Sequence, residues 1–246
     1  MSTPDGYGRS RHSRDETFAA FAVETRREAL RIVNERSPTG VTKHELAAEL
    51  AARTTAGDAT AVTDADRQRL LVDCHHRTLP ALFDAGLLEK TDDGRLVTTA
   101  HWAFDDAGLG AVLDDQTTDH RVDLDVLFEA LSDSRRRTVL SVLDGSHQPH
   151  STEALARAVA ASEMDRDIRR DEVEQVWSTL RHVHLPVLND AGLVGYDAES
   201  SLVSYEGHPV LHESWLEGTH EQPSQANARG RSLNAVTGVL RSGSNR

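Results

Sequence analysis

The chain has 246 residues and a formal net charge of −13, with 38% apolar residues but only 4% aromatics. That length suits two domains of ordinary size, and no apolar run approaches the roughly 18 residues that a membrane helix needs. Cys74 is the only cysteine; this excludes an internal disulfide and any multi-cysteine metal site, and it fits a reducing cytoplasm.

In chain order, residues 1–16 (MSTPDGYGRSRHSRDE) lack the apolar stretch of a secretory signal and are expected to be a disordered tail. Residues 17–112 read as a first folded unit. It closes with TLPALFDAGLLEKTDDG (78–94), in which Gly86 suits a left-handed helix end and Asp93-Gly94 a hairpin turn. A polar linker follows at 113–121.

A second unit, 122–217, begins with Leu124, Leu127, Phe128 and Leu131 at helical spacing. Ser132 reads as the N-cap of the next helix, which carries Val139, Leu140 and Leu143 and ends near Gly145. Ser151 or Thr152 starts another, with Leu155, Ala156, Val159 and Ala160 inward. After a polar connection (SEMDRDIRR), a long helix from about 171 turns Val173, Val176, Leu180 and Val183 inward. It ends at Gly192, and LVGYDAESSLVSYE then reads as a β-hairpin. Residues 218–246 are rich in Gly, Ser, Asn and Gln and are expected to be a second disordered tail.

The two units are copies of one another. Leu185, Pro186 and Leu188 fall on Leu79, Pro80 and Leu82, and Asp190-Ala191-Gly192-Leu193 falls on Asp84-Ala85-Gly86-Leu87. Upstream, Phe128 meets Phe18, Arg136 and Arg137 meet Arg26 and Arg27, and Leu140 meets Leu30. The spacing is that of a tandem domain duplication, not of a solenoid. Proline inside a helix removes an N–H and crowds the preceding turn, so Pro80 and Pro186 predict a kink or break shortly before Gly86 and Gly192.

A short helix, three more helices and a hairpin is the order of a winged helix-turn-helix domain. The string ALSDSRRRTVLSVL (130–143), then TEALA (152–156), then HLPVLNDAGLV (184–194) resembles the ArsR-like winged-helix repressors. The strings Arg135–Arg137, Val159–Glu163 and His182–Gly192 resemble more closely a family of uncharacterised winged-helix domains from salt-loving archaea. The resemblance implies a mainly α fold with small β-hairpin wings, as two tandem winged helix-turn-helix domains. It implies a DNA-binding transcriptional regulator, the two copies acting as an intramolecular pseudo-dimer on double-stranded DNA.

Residue chemistry gives the candidate contacts. In such domains the third helix enters the major groove, which points to His75, His76 and Arg77 in the first copy and Arg181, His182 and Asn189 in the second. Lys90 and Arg95 make the first wing the more basic one. Pro80, Gly86, Pro186 and Gly192 would form the structural hinge. The helix starts are acidic, at Asp64, Asp66 and Asp73 in the first copy and Asp171, Glu172 and Glu174 in the second, and repel phosphate. A protein-interaction module that touches no DNA, with a protein partner or a second copy, is therefore the alternative. Lys43 and Lys90 are the only lysines; abundant Asp with scarce Lys is what proteins of extreme-salt cytoplasms look like, where salt screens charge within a few ångströms. Acidity then does not exclude a nucleic acid.

Other patterns carry less. Arg135–Arg137 reads as a pair of internal salt bridges to acidic neighbours plus one exposed charge, rather than as a phosphate contact. Arginines in the tails, Arg9, Arg11 and Arg14 in front and Arg229, Arg231, Arg241 and Arg246 behind, read as solvated charges. His75 and His76, or His182 and His184, face different sides of a helix and cannot share a metal, so no metal and no cofactor are expected. His184 is expected to pack or cap. No nucleophile elbow, phosphate loop or zinc-protease motif occurs, so no enzyme is expected. The cytoplasm is the expected location and no membrane the expected partner.

Overall fold

The computed structural model describes residues 6–54, 63–114, 123–146, 148–163 and 168–216, with side chains described from Arg14 onward. Residues 115–122, most of the expected linker, and 217–246, which hold the second expected tail, lie outside the described residues. The expected first tail is corrected in part. Helix α1 already starts at Gly6 and runs to Phe21, so it begins ahead of the boundary at 17.

The first repeat continues with α2 (Glu24–Arg36), α3 (Lys43–Thr54) and α4 (Asp64–Asp73). A π turn (Cys74–Thr78) then leads into α5 (Leu79–Asp84). Strands β1 (Leu88–Lys90) and β2 (Leu96–Thr98) pair antiparallel, with Glu89 opposite Val97. Two short helices follow, α6 (Trp102–Asp105) and α7 (Ala107–Leu113). The second repeat has α8 (Leu124–Leu131), α9 (Ser134–Leu143), strand β3 (His150–Ser151) and α10 (Thr152–Glu163). Then come α11 (Arg170–Thr179), a π turn (Leu180–His184) and α12 (Leu185–Asp190). Strands β4 (Val194–Asp197) and β5 (Leu202–Tyr205) form the hairpin, and α13 (Glu213–Leu216) closes the repeat. Each repeat thus has the expected helices followed by a small hairpin. In the second, β3 adds a third strand on β5; in the first it shrinks to a single bridge, Val41 to Leu96.

Local chemistry accounts for the boundaries, with one correction. Asp133, not Ser132, caps α9: its Oδ1 accepts the N–H groups of Arg135 and Arg136 at 2.9 and 3.1 Å. Ser151 caps α10 by accepting the Ala154 N–H at 3.2 Å. Gly86 and Gly192 sit at φ 70° and 68°, left-handed as expected. Around Gly192, its own N–H reaches Asn189 and that of Leu193 reaches Leu188, at 2.9 and 3.0 Å, and Gly86 and Leu87 repeat the pattern on Phe83 and Leu82. These paired bonds satisfy the last carbonyls of the helix.

The prolines do not break the helix. In a regular α-helix the ring of Pro186 would press on the carbonyl of His182. The backbone instead widens before it: the Leu185 N–H donates to the Leu180 carbonyl, five residues back. Leu79 does the same to Cys74 ahead of Pro80. The wider turn relieves the clash, so the hydrogen-bonded helix continues past the proline through a one-residue π bulge in both repeats.

Both repeats share one continuous buried core. Phe18 and Phe128, equivalent residues, stack on each other at 6.2 Å with an interplanar angle of 17°. Trp215 lies against both at 6.0 and 5.7 Å. Arg27 donates to the Phe21 carbonyl at 2.6 Å and pairs with Asp125 of the other repeat at 2.5 Å. Its counterpart Arg137 donates to the Leu131 carbonyl at 2.6 Å and pairs with Asp15 at 2.7 Å. One repeat's arginine meets the other's aspartate, and the reverse also holds. Such reciprocity is the mark of a two-fold related interface, here within a single chain. The symmetry is broken at α7 and α13. Trp215 donates from Nε1 to Asp106 Oδ1 at 2.9 Å and sits beside Gly108, where any Cβ would lie 2.8 Å from the indole.

The arginine run is internal. Arg135 makes two parallel bonds to Glu163, both 2.8 Å. Arg136 donates to the carbonyls of Ala130 and Glu129 at 2.6 Å, which leaves no exposed charge among the three. His184 is 8% exposed, and its Nδ1 stands 3.7 Å from Asp133. Burial holds its pKa below the usual histidine value; Asp133 and Glu163 oppose that, and Arg135 and Arg136 reinforce it. Burial also lowers His101 and His208. A histidine with a depressed pKa in the folded chain favours folding while neutral, and this contribution is lost as pH falls below its unfolded value near 6.5. The urea midpoint is therefore expected to drop between pH 7 and pH 5, and to drop less in His184→Gln. An unchanged pH dependence in that variant removes His184 from the account.

Candidate nucleic-acid interface

Helix α4 with its π turn, and α11 with its own, correspond to the expected third helices, and stand fourth in each repeat once the leading helices α1 and α8 are counted. The π turns decide which side chains face outward. In Cys74–Thr78, Cys74 and Thr78 are buried while His75, His76 and Arg77 are exposed. Arg77 has 81% of its side chain exposed, with Asp73 at a loose 3.7 Å. The rings of His75 and His76 meet edge to face at 4.7 Å. His75 Nδ1 lies 3.3 Å from Lys43 Nζ, at the start of α3. One surface of the first repeat therefore joins Lys43, His75, His76 and Arg77.

The second repeat places His182 outward in the same way and buries His184, while the π turn leaves Val183, expected inward, exposed. Arg181 is half-buried, its guanidinium over the Trp177 ring at 5.6 Å. Asn189 is exposed, but its Oδ1 accepts the Tyr196 N–H at 3.0 Å, so it ties α12 to the hairpin. Lys90 lies over the Phe83 ring at 5.2 Å. Arg95 donates to the Gly40 carbonyl at 3.0 Å, with Asp93 at 3.4 and Glu45 at 3.6 Å. Both wing residues thus have work within the first repeat. Pro80, Gly86, Pro186 and Gly192 frame the π turns and helix ends but contribute no polar side chain.

The sequence reading missed Lys43, which only folding brings beside His75. It also missed Arg67 and Arg69, exposed on α4, though each is paired to Asp64 or Asp66 within its own helix at 3.0 and 3.2 Å. Such exposed pairs are weak and open to competition by another anion. The capping box of Thr63 and Asp66 accounts for part of the acidity at the start of α4. Burial, helped by Asp73, pushes the Cys74 thiol up to about 11, which disfavours the reactive thiolate at neutral pH. No cluster of metal-ligating side chains occurs among the described residues.

The profile of a family described as a domain of unknown function, DUF7344, matches twice, over residues 18–98 and 128–204. The chain belongs to the DUF7344 family. The two matches run from the end of α1 to the hairpin in the first repeat and from within α8 to the hairpin in the second, and leave α6, α7 and α13 outside. The DUF7344 unit therefore includes Phe18 and Phe128, the two rings at the centre of the pairing, and both π turns. No curated protein and no solved structure matches the chain.

Proposed function

We propose that the chain is a DNA-binding transcriptional regulator of a salt-rich cytoplasm, in which two winged-helix repeats act as an intramolecular pseudo-dimer. The reciprocal pairing of Arg27 with Asp125 and of Arg137 with Asp15 carries this reading. It relates the repeats by a two-fold operation, the same operation that relates the two half-sites of a palindromic operator. The third helices are then presented as an equivalent pair. The π turns support the same surface, since such bulges recur at functional sites. The first repeat is the stronger reader: Lys43, His75, His76 and Arg77 face outward together, whereas Arg181 leans on Trp177. Arginine is suited to guanine edges and phosphates alike.

The test is binding to random duplex DNA, followed by fluorescence anisotropy over a range of KCl. Arg77→Glu is expected to weaken binding by roughly tenfold or more and to flatten the salt slope by about one phosphate contact. Arg181→Glu should cost less. Binding that is absent even at reduced salt sinks the DNA reading. The acidic starts of the third helices, Asp64, Asp66, Asp171 and Glu174, would then favour the same surface as a site for a basic protein partner.

A further inference from the structure

The second repeat holds a cavity of about 850 Å³ between the start of α10, the outer face of α11 and the tip of the β4–β5 hairpin. That lies within the size range of small-molecule sites. Its apolar wall is Ile168, Val173 and Trp177. The indole is held in place, because Nε1 donates to Thr152 Oγ1 at 3.1 Å. The rim is held by Ser201, a non-glycine residue at φ 55°, whose carbonyl accepts the Thr152 N–H at 2.9 Å. Backbone strain of this kind persists only where the surroundings impose it, and it gathers at ligand clamps.

Four charged side chains line the cavity. Arg157 and Glu153 satisfy each other at 2.5 Å. Arg170 and Glu174, one turn apart on α11, have no partner among the described residues. The first repeat has no such arrangement at the matching positions. There Asp64, Arg67, Gln68, Leu71 and Arg95 stand for Arg170, Val173, Glu174, Trp177 and Ser201. Arg67 is bonded to Asp64 at 3.0 Å, and Arg95 folds onto Gly40. The duplicated surface has diverged toward basic charge in one copy and toward a walled cavity in the other.

We propose that the second repeat binds a free α-amino acid with an apolar side chain in this cavity. Its carboxylate meets the Arg170 guanidinium, its ammonium meets Glu174, and its side chain lies against Val173, Ile168 and Trp177. A small zwitterion answers both unpaired charges, whereas an anion or a cation alone leaves one unanswered. Arg181 lies over the same indole, so on the DNA-binding reading the ligand and a helix-three arginine share one side chain. The site itself does not depend on that reading.

The experiment is calorimetric titration of the full chain, without DNA, by L-phenylalanine and by L-leucine. The analogues 3-phenylpropionate, which lacks the ammonium, and 2-phenylethylamine, which lacks the carboxylate, run alongside. Binding of at least one amino acid is expected, with both analogues weaker by about tenfold or more, as the loss of a charge-assisted bond requires. Arg170→Gln and Glu174→Gln should each weaken the amino acid by a similar factor with an unchanged melting temperature, since both side chains are exposed. Trp177→Phe should remove the accompanying change in tryptophan fluorescence. No heat from either amino acid at millimolar concentration overturns the proposal. So do analogues that bind as well as the amino acids, or charge variants that bind as the parent does.

Discussion

Phe128→Ala is expected to destabilise the chain by about 3–5 kcal/mol, the usual cost of emptying a large aromatic from a packed core. Phe128 is fully buried, stacked on Phe18 and in contact with Phe21 and Trp215. Two of those four rings, Phe18 and Phe21, belong to the first repeat and two, Phe128 and Trp215, to the second, so the cavity opens into both repeats at once. The variant, like the parent, should therefore unfold in one transition, with far-ultraviolet circular dichroism and tryptophan fluorescence coinciding along a urea gradient. Two separated transitions in the parent would mean that the repeats are stable independently and that the shared core is not what holds them.

Arg137→Ala should cost about as much, roughly 3–5 kcal/mol, because it strips one partner from a buried ion pair. The side chain of Arg137 is 6% exposed, with Asp15 30% exposed beside it. Its removal also leaves the Leu131 carbonyl without its donor and takes the guanidinium off the Phe18 ring, 5.5 Å away. The mirror-image change, Arg27→Ala, meets a more solvated partner: Asp125 is 49% exposed. It should therefore lower the melting temperature less. Equal effects would show that the pseudo-symmetry extends to the energetics and that solvation of the aspartate is irrelevant.

Much of the fold was legible because duplication doubles every signal. Hydrophobic spacing placed α8 to α12, and the recurrence of Pro80 and Pro186 aligned the two units. Gly86 and Gly192 gave the helix ends. The errors came where the deciding contact is not local. Ser132 and Asp133 are both good caps by type, and only the backbone geometry selects Asp133. A proline reads as a break unless the turn ahead of it can widen, and nothing in LRHVHLP announces a π turn. The candidate interface was legible as residue types, with His75, His76, Arg77 and His182 found outward. Its internal commitments were not, since the partners of Asn189, Lys90 and Arg95 lie at hairpins and loops that fold back.

By itself, then, the sequence determined the duplication, the helical character, the hairpins and the acidic balance, all of which follow from short-range periodicity and composition. Tertiary structure decided that the repeats pair face to face through equivalent residues, because Phe18 and Phe128, or Arg137 and Asp15, meet only when chain segments more than a hundred residues apart are brought together. It also decided that Arg136 and Arg137 turn inward onto the last carbonyls of α8 while Arg135 pairs with Glu163, since a buried guanidinium must meet acceptors such as the orphan carbonyls of a helix end.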